Sequence, residues 1–164
     1  MKESILLTTD EILARLAEGP QLIATATAGL TPKQLRASPD DGWSANEVLA
    51  HLRACGDVWG GHILATLAED RPTRQGISPR TWMKRTDYPD LEFQPSFEAF
   101  SSQRAALLAT LETLSPEGWK RTALIRSYGK MFNEHTALFF ADGLARHERT
   151  HIKQIESIAA ALRK

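Results

Sequence analysis

A chain of 164 residues, 42% of them hydrophobic, is the size of one ordinary domain and can fill a core without disulfide staples. Twenty basic and twenty acidic side chains cancel to zero formal charge, so no overall field draws the chain to nucleic acid or to an anionic membrane. The lone cysteine, Cys55, excludes an internal disulfide, the opening apolar stretch is too short for a signal peptide, and no run approaches the ~18 apolar residues of a membrane span. The expectation is one cytoplasmic domain over residues 1–164.

Apolar residues recur at helical spacing and no Val/Ile/Thr-rich run bounded by turns reads as a strand, so the expected class is all-α. The first helix begins at Thr8, which caps while Glu11 reaches back, and Ile12, Leu13 and Leu16 form its apolar stripe. Pro20 predicts a break or restart, with Gln21 to Ala28 carrying on. After a connector from Thr31 to Gly42, Ser44 and Glu47 form a capping box that Trp43 and Val48 can staple, and a second helix runs to about Ala68. Glu69 to Pro95 holds four prolines and no sustained periodicity, which predicts a long connection of the functional or disordered kind. A third helix follows from about Ser96 to Leu114. The last should run from near Asn133 to about Leu162, roughly 45 Å.

The chemistry lies in that last helix. Its inward seam, at steps of three and four, reads Phe140, Leu144, His147, His151, Ile155, Ile158 and Leu162, placing two histidines where a bundle core takes Leu or Ile. Residues four apart share a face about 6 Å apart along the axis, so two imidazoles can converge on one ion. Two buried, hydrogen-bonded histidines are the competing reading. His51, beside Val48, Leu52 and Cys55, is the best third ligand; His62 lies about 16 Å further along and His135 some 18 Å from His147, too far to share the ion. His147-Glu148-Arg149-Thr150-His151 also fits the H-E-x-x-H zinc metalloprotease pattern. That alternative lacks a downstream third ligand and a sheet edge to hold a peptide.

The stretch Leu30-Thr31-Pro32-Lys33-Gln34-Leu35, then Gly42-Trp43-Ser44-Ala45-Asn46-Glu47-Val48-Leu49-Ala50-His51-Leu52, and finally His147-x-x-x-His151 with Gln154, resembles the DinB-like superfamily, which includes bacillithiol and mycothiol S-transferases. The resemblance covers nearly the whole chain, although nothing from about Arg71 to Arg126 carries a family motif. It implies a four-helix bundle in up-down-down-up order with a long loop between helices 2 and 3. It also implies a solvent-open three-histidine metal site on His51, His147 and His151, and a homodimer. Zinc or nickel is the expected divalent ion, with a low-molecular-weight thiol as a further cofactor.

Three histidines leave a coordination position open, which suits a catalytic metal that activates either water or a thiolate. The expected function is a metal-dependent enzyme acting on small molecules, thiol S-transfer favoured over hydrolysis; the alternative is a bundle that binds metal or a partner without turnover. Glu47, one turn before His51, is a candidate base already explained by its cap. Glu148, one residue off the ligand face, reads as a surface group or a support for the ligands more readily than as a base. Cys55 reads as a buried inert thiol. The 69–95 connection, with Arg71, Arg74, Arg80, Lys84 and Arg85, should border the metal opening and could bind carboxylates of an anionic thiol or substrate. Trp59 and Trp82 are the residues expected at a dimer interface.

Overall fold

The computed structural model describes residues 5–127, 129 and 131–164. In chain order the elements are α1 (Thr9–Thr27), α2 (Pro32–Arg36), α3 (Ala45–Cys55), a π-helical turn (Gly56–Gly60), α4 (Gly61–Ala68), β1 (Thr73–Gln75), α5 (Pro79–Met83), a 3-10 turn (Tyr88–Asp90), α6 (Phe93–Leu111), α7 (Pro116–Trp119), β2 (Thr122–Ser127), β3 (Met131–Thr136) and α8 (Ala137–Leu162). Both expected capping boxes form. The Thr8 hydroxyl accepts from the Glu11 amide while Glu11 accepts from the Thr8 amide, and Ser44 and Glu47 do the same. Pro20 does not interrupt α1. Leu16 and Ile23, on either side of it, are both fully buried, and packing holds the helix together across the missing hydrogen bond.

Four rods make the bundle: α1, the continuous α3–π–α4 rod, α6 and α8. Their directions follow from which residues meet. The Leu7 amide donates to Asp142, Arg149 pairs with Glu18, and Arg163 donates to the Ala28 carbonyl, so numbers rise together and α1 runs parallel to α8. Trp43 lies near His151, His51 near His147 and His62 near Phe140, so the second rod is antiparallel to α8. Arg53 meets Ser96 and Asp57 meets Gln103, so it is parallel to α6. The order is up-down-down-up, as the family resemblance implies. Two apolar clusters fill the interior, one around Leu16, Ile63, Leu111 and Leu144, the other around Ile23, Leu49, Phe100 and Ile155.

The strands are a correction. β2 and β3 form an antiparallel hairpin, and β1 joins β2 in parallel at Thr73↔Leu124. β1 is three exposed residues, and β3 is too exposed to show an apolar alternation, so neither carries the pattern that marks a strand. β2 does alternate, with Ala123 and Ile125 buried, but over too few residues to stand out. The last helix therefore starts at Ala137, not near Asn133; Thr136 caps it by accepting from the Phe139 amide at 3.0 Å. The third helix is likewise Phe93–Leu111, with Pro95 in its first turn, where a missing amide costs nothing.

The π turn locally widens the second rod and presents Asp57 to the connection that follows. One carboxylate oxygen accepts from the Trp82 indole at 2.9 Å and the Tyr88 hydroxyl at 2.7 Å; the other accepts from the Gln103 amide at 2.6 Å. Arg53 stacks on the Tyr88 ring at 3.7 Å. These contacts fasten the middle of the connection to the bundle. They also place Trp82 against the second rod rather than on an open face.

Candidate metal centre

His51, His147 and His151 meet. His51 is buried two turns into α3, and the two α8 histidines are half-buried on the facing seam. The Nε2 of His147 lies 3.0 Å from the Nε2 of His51 and 3.0 Å from that of His151. One atom from each ring falls within 4.8 Å of the others. Imidazole nitrogens bound to one ion at about 2.0–2.1 Å, with angles between tetrahedral and right, are about 2.9–3.3 Å apart, so this spacing fits a shared cation. A lone proton on His147 could satisfy only one of its two neighbours. Gln154 Oε1 accepts from the His151 Nδ1–H at 2.8 Å, which leaves the Nε2 lone pair of His151 directed at the cluster. His51 Nδ1 is buried with no partner among the described residues.

The surroundings favour the neutral form of His51 and His147. Burial, then the neighbouring imidazoles and Arg80, push His51 down to about 4; burial, His151 and Arg80 push His147 to about 4. Trp43 tilts against His51 at 5.1 Å between centroids, and Trp59 meets His147 edge-on at 5.0 Å. The Arg80 guanidinium lies 4.8 Å from the Trp43 ring. Arg80 stands in α5, within the 69–95 connection, so that segment does border the cluster. Trp59, expected at an interface, is half-buried here with one ring contact to His147.

The other candidates are placed as follows. Glu47 is occupied by its cap, accepting from the Ser44 amide at 2.8 Å. Cys55 Sγ lies 3.5 Å from His51 Nε2, and burial, reinforced by Glu148, pushes its thiol up to about 12. His62 is buried against Phe140, well away from the cluster, and burial and Arg74 push it to about 4. His135 sits on β3, stacked on Phe139 at 3.9 Å between centroids.

Glu148 is not a surface group. It is 2% exposed and pairs with Arg104, itself fully buried on α6. A Cβ at Gly19 would meet its second carboxylate oxygen, so any larger residue at that point of α1 would force the carboxylate to shift. Burial raises the Glu148 pKa while Arg104 opposes the rise. The pair braces α1, α6 and α8 behind the histidines, and its carboxylate faces the core instead of the ligand face. The sequence hint was available: Arg104 interrupts the apolar seam Phe100, Leu107, Leu111.

Three imidazoles converging inside a helical bundle define a bundle protein with a candidate metal centre. The chain belongs to the DinB superfamily, whose family model matches residues 15–155. It is 29% identical to a Geobacillus thermodenitrificans (strain NG80-2) protein named "Putative metal-dependent hydrolase", over 77% of this chain and 79% of that one. Its fold matches YfiT from Bacillus subtilis with a TM-score of 0.79 at 19% identity, over 98% of this chain and 91% of that one. YfiT is described as "a probable metal-dependent hydrolase with an unusual four-helix bundle topology".

Arg104→Met should leave the Glu148 carboxyl buried without its cation and destabilise the fold by about 3–5 kcal/mol in chemical denaturation of chelator-treated protein, while Arg104→Met with Glu148→Met should recover most of that. Without Arg104, burial raises the folded-state carboxyl pKa above its unfolded value, so the single variant should lose further stability as pH rises through the carboxylate range. A single variant as stable as the double one would show the pair does not brace the bundle.

Proposed function

We propose that the chain is a divalent-metal-dependent enzyme acting on small molecules, with His51, His147 and His151 as the ligands. The observation that carries this reading is the convergence of three imidazole Nε2 atoms at ligand spacing. Imidazole donors suit zinc or nickel, and three of them leave room for a further ligand. Bound there, the ion would act as a Lewis acid and lower the pKa of water or a thiol. The chain's own residues orient and shield: Gln154 fixes His151, Trp43 and Trp59 wall the rings, and Arg80 adds positive charge beside them. The engagement of Glu148 with Arg104 and of Glu47 with Ser44 leaves neither expected carboxylate free as a base, which argues against the metalloprotease alternative.

Hydrolysis is the first reading, supported by the descriptions its relatives carry. Thiol transfer is the second, supported by Arg80 beside the rings, a cation that suits an anionic low-molecular-weight thiol. A bundle that binds metal without turnover is the remaining alternative. The whole chain is proposed as one domain, and a homodimer is proposed on the exposed Met131 and Phe132 of edge strand β3. No described helix is long and apolar enough to cross a membrane, which agrees with the proposed cytoplasmic location.

Zinc or nickel titrated into chelator-treated protein should bind one ion per chain, and His51→Ala, His147→Ala or His151→Ala should each weaken binding at least about 100-fold. Because the folded state holds His51, His147 and His62 near 4, below their unfolded value of about 6.5, the unfolded chain binds more protons between these values. Metal-free protein should therefore lose stability as pH falls from about 6.5 toward 4, read as a declining melting temperature. That decline without any metal uptake would favour ordinary buried histidines, whereas flat melting would show that the folded state does not hold the rings neutral. Metal-loaded protein should cleave members of a panel of small esters and amides; consumption of a thiol with monochlorobimane instead would make transfer the activity, and neither would leave the binding bundle. Light scattering should give about twice the 18.2 kDa chain mass.

A further inference from the structure

A second feature lies along α8 from the histidines. A cavity of about 560 Å³ opens between the sheet, the second rod and the start of α8. That volume is in the range of small-molecule sites. Its apolar lining includes Trp59, Ile125 and Phe140, and its polar lining includes His62 and His135. Arg85 lines it too, and no Asp or Glu does among the described residues. Two of these groups are set by the fold rather than by the surface. Ile125 is the inward residue of β2, and His62 is 5% exposed, with an Nδ1 that has no partner among the described residues.

We propose that this cavity binds a small aromatic anion, such as an aryl carboxylate. Trp59 and Phe140 supply flat faces for its ring. Arg85, exposed at the cavity's edge, supplies the charge that a carboxylate pairs with. Arg74 and Arg80 make no ion pair with a described carboxylate either, so the field on this flank is positive. His62 and His135 offer neutral imidazoles to polar substituents on the ring; burial holds both below the ordinary histidine range. Trp59 is the shared wall: one edge lines the cavity while the ring abuts His147, so an occupant lies beside the proposed metal. The assignment of this occupant as substrate rests on the metal reading; the binding itself does not.

The test is calorimetric titration of chelator-treated protein with 2-naphthoate, with neutral 2-naphthylmethanol and with 2-naphthylmethylammonium. The carboxylate should bind about tenfold tighter than the alcohol, and the ammonium weakest. Arg85→Met should bring acid and alcohol to within about twofold. Thr81→Trp or Gln75→Trp, each adding bulk at an exposed lining residue, should abolish binding of all three with the circular dichroism unchanged. Equal affinities in the native protein, a preference that survives Arg85→Met, or full binding in both filled variants would overturn the proposal. Because no metal is present, failure here is separate from failure of the three-histidine reading, which the metal titration decides.

Discussion

The second and third rods run in the same direction, and much of the molecule follows from that constraint. Two antiparallel neighbours can be joined by a short turn, but parallel ones need a connection that travels the length of the bundle. Here that connection must leave Ala68 and return to Phe93 at the opposite end. On the way it contributes β1 to the sheet, places Arg80 over Trp43, and hangs Trp82 and Tyr88 on Asp57. The stretch least regular in sequence thus builds one rim of the histidine cluster and one wall of the cavity.

The π turn at Gly56–Gly60 reconciles two demands on the second rod. Its first half must present His51 to α8, while its second half must present Asp57 to the connection and Trp59 to His147. Glycine at position 56 admits the Gln103 side chain from α6, which a Cβ would strike. A regular helix would have kept His51, Cys55, Val58 and His62 on one continuous face. The widening lets two functional surfaces share one helix.

The sequence shows most clearly what is periodic or capped. Ser44 and Glu47 mark the start of α3 because both halves of the box are local, and the His147/His151 pair stands out because it breaks an apolar seam. His51 was accessible by the same logic. What escaped depends on contacts between segments far apart in the chain. β1 is a strand because Thr73 pairs with Leu124, and nothing in Thr73-Arg74-Gln75 alone says so. Glu148 looked like a neighbour of the ligand face because its partner Arg104 is 44 residues away, and the glycine that makes room for it is on a third helix. Trp59 and Trp82 stand out in the sequence by number alone, whereas their contacts with His147 and Asp57 depend on segments that only the fold brings together.

The H-E-x-x-H spacing illustrates how a local motif changes meaning with its surroundings. In the protease pattern the glutamate must face the metal-bound water, which requires both histidines and the acid on one accessible face. On α8 the histidines face α3, so the residue after His147 is turned about 100° away, toward α1 and α6. A buried carboxylate there is tolerable only with a cation, and Arg104 supplies it from α6. The same rotation that brings His147 and His151 onto His51 therefore commits Glu148 to the core. Held there by Arg104, its carboxylate is out of position for proton transfer at the histidine face, while Arg80 over Trp43 leaves positive charge at the edge of the cluster.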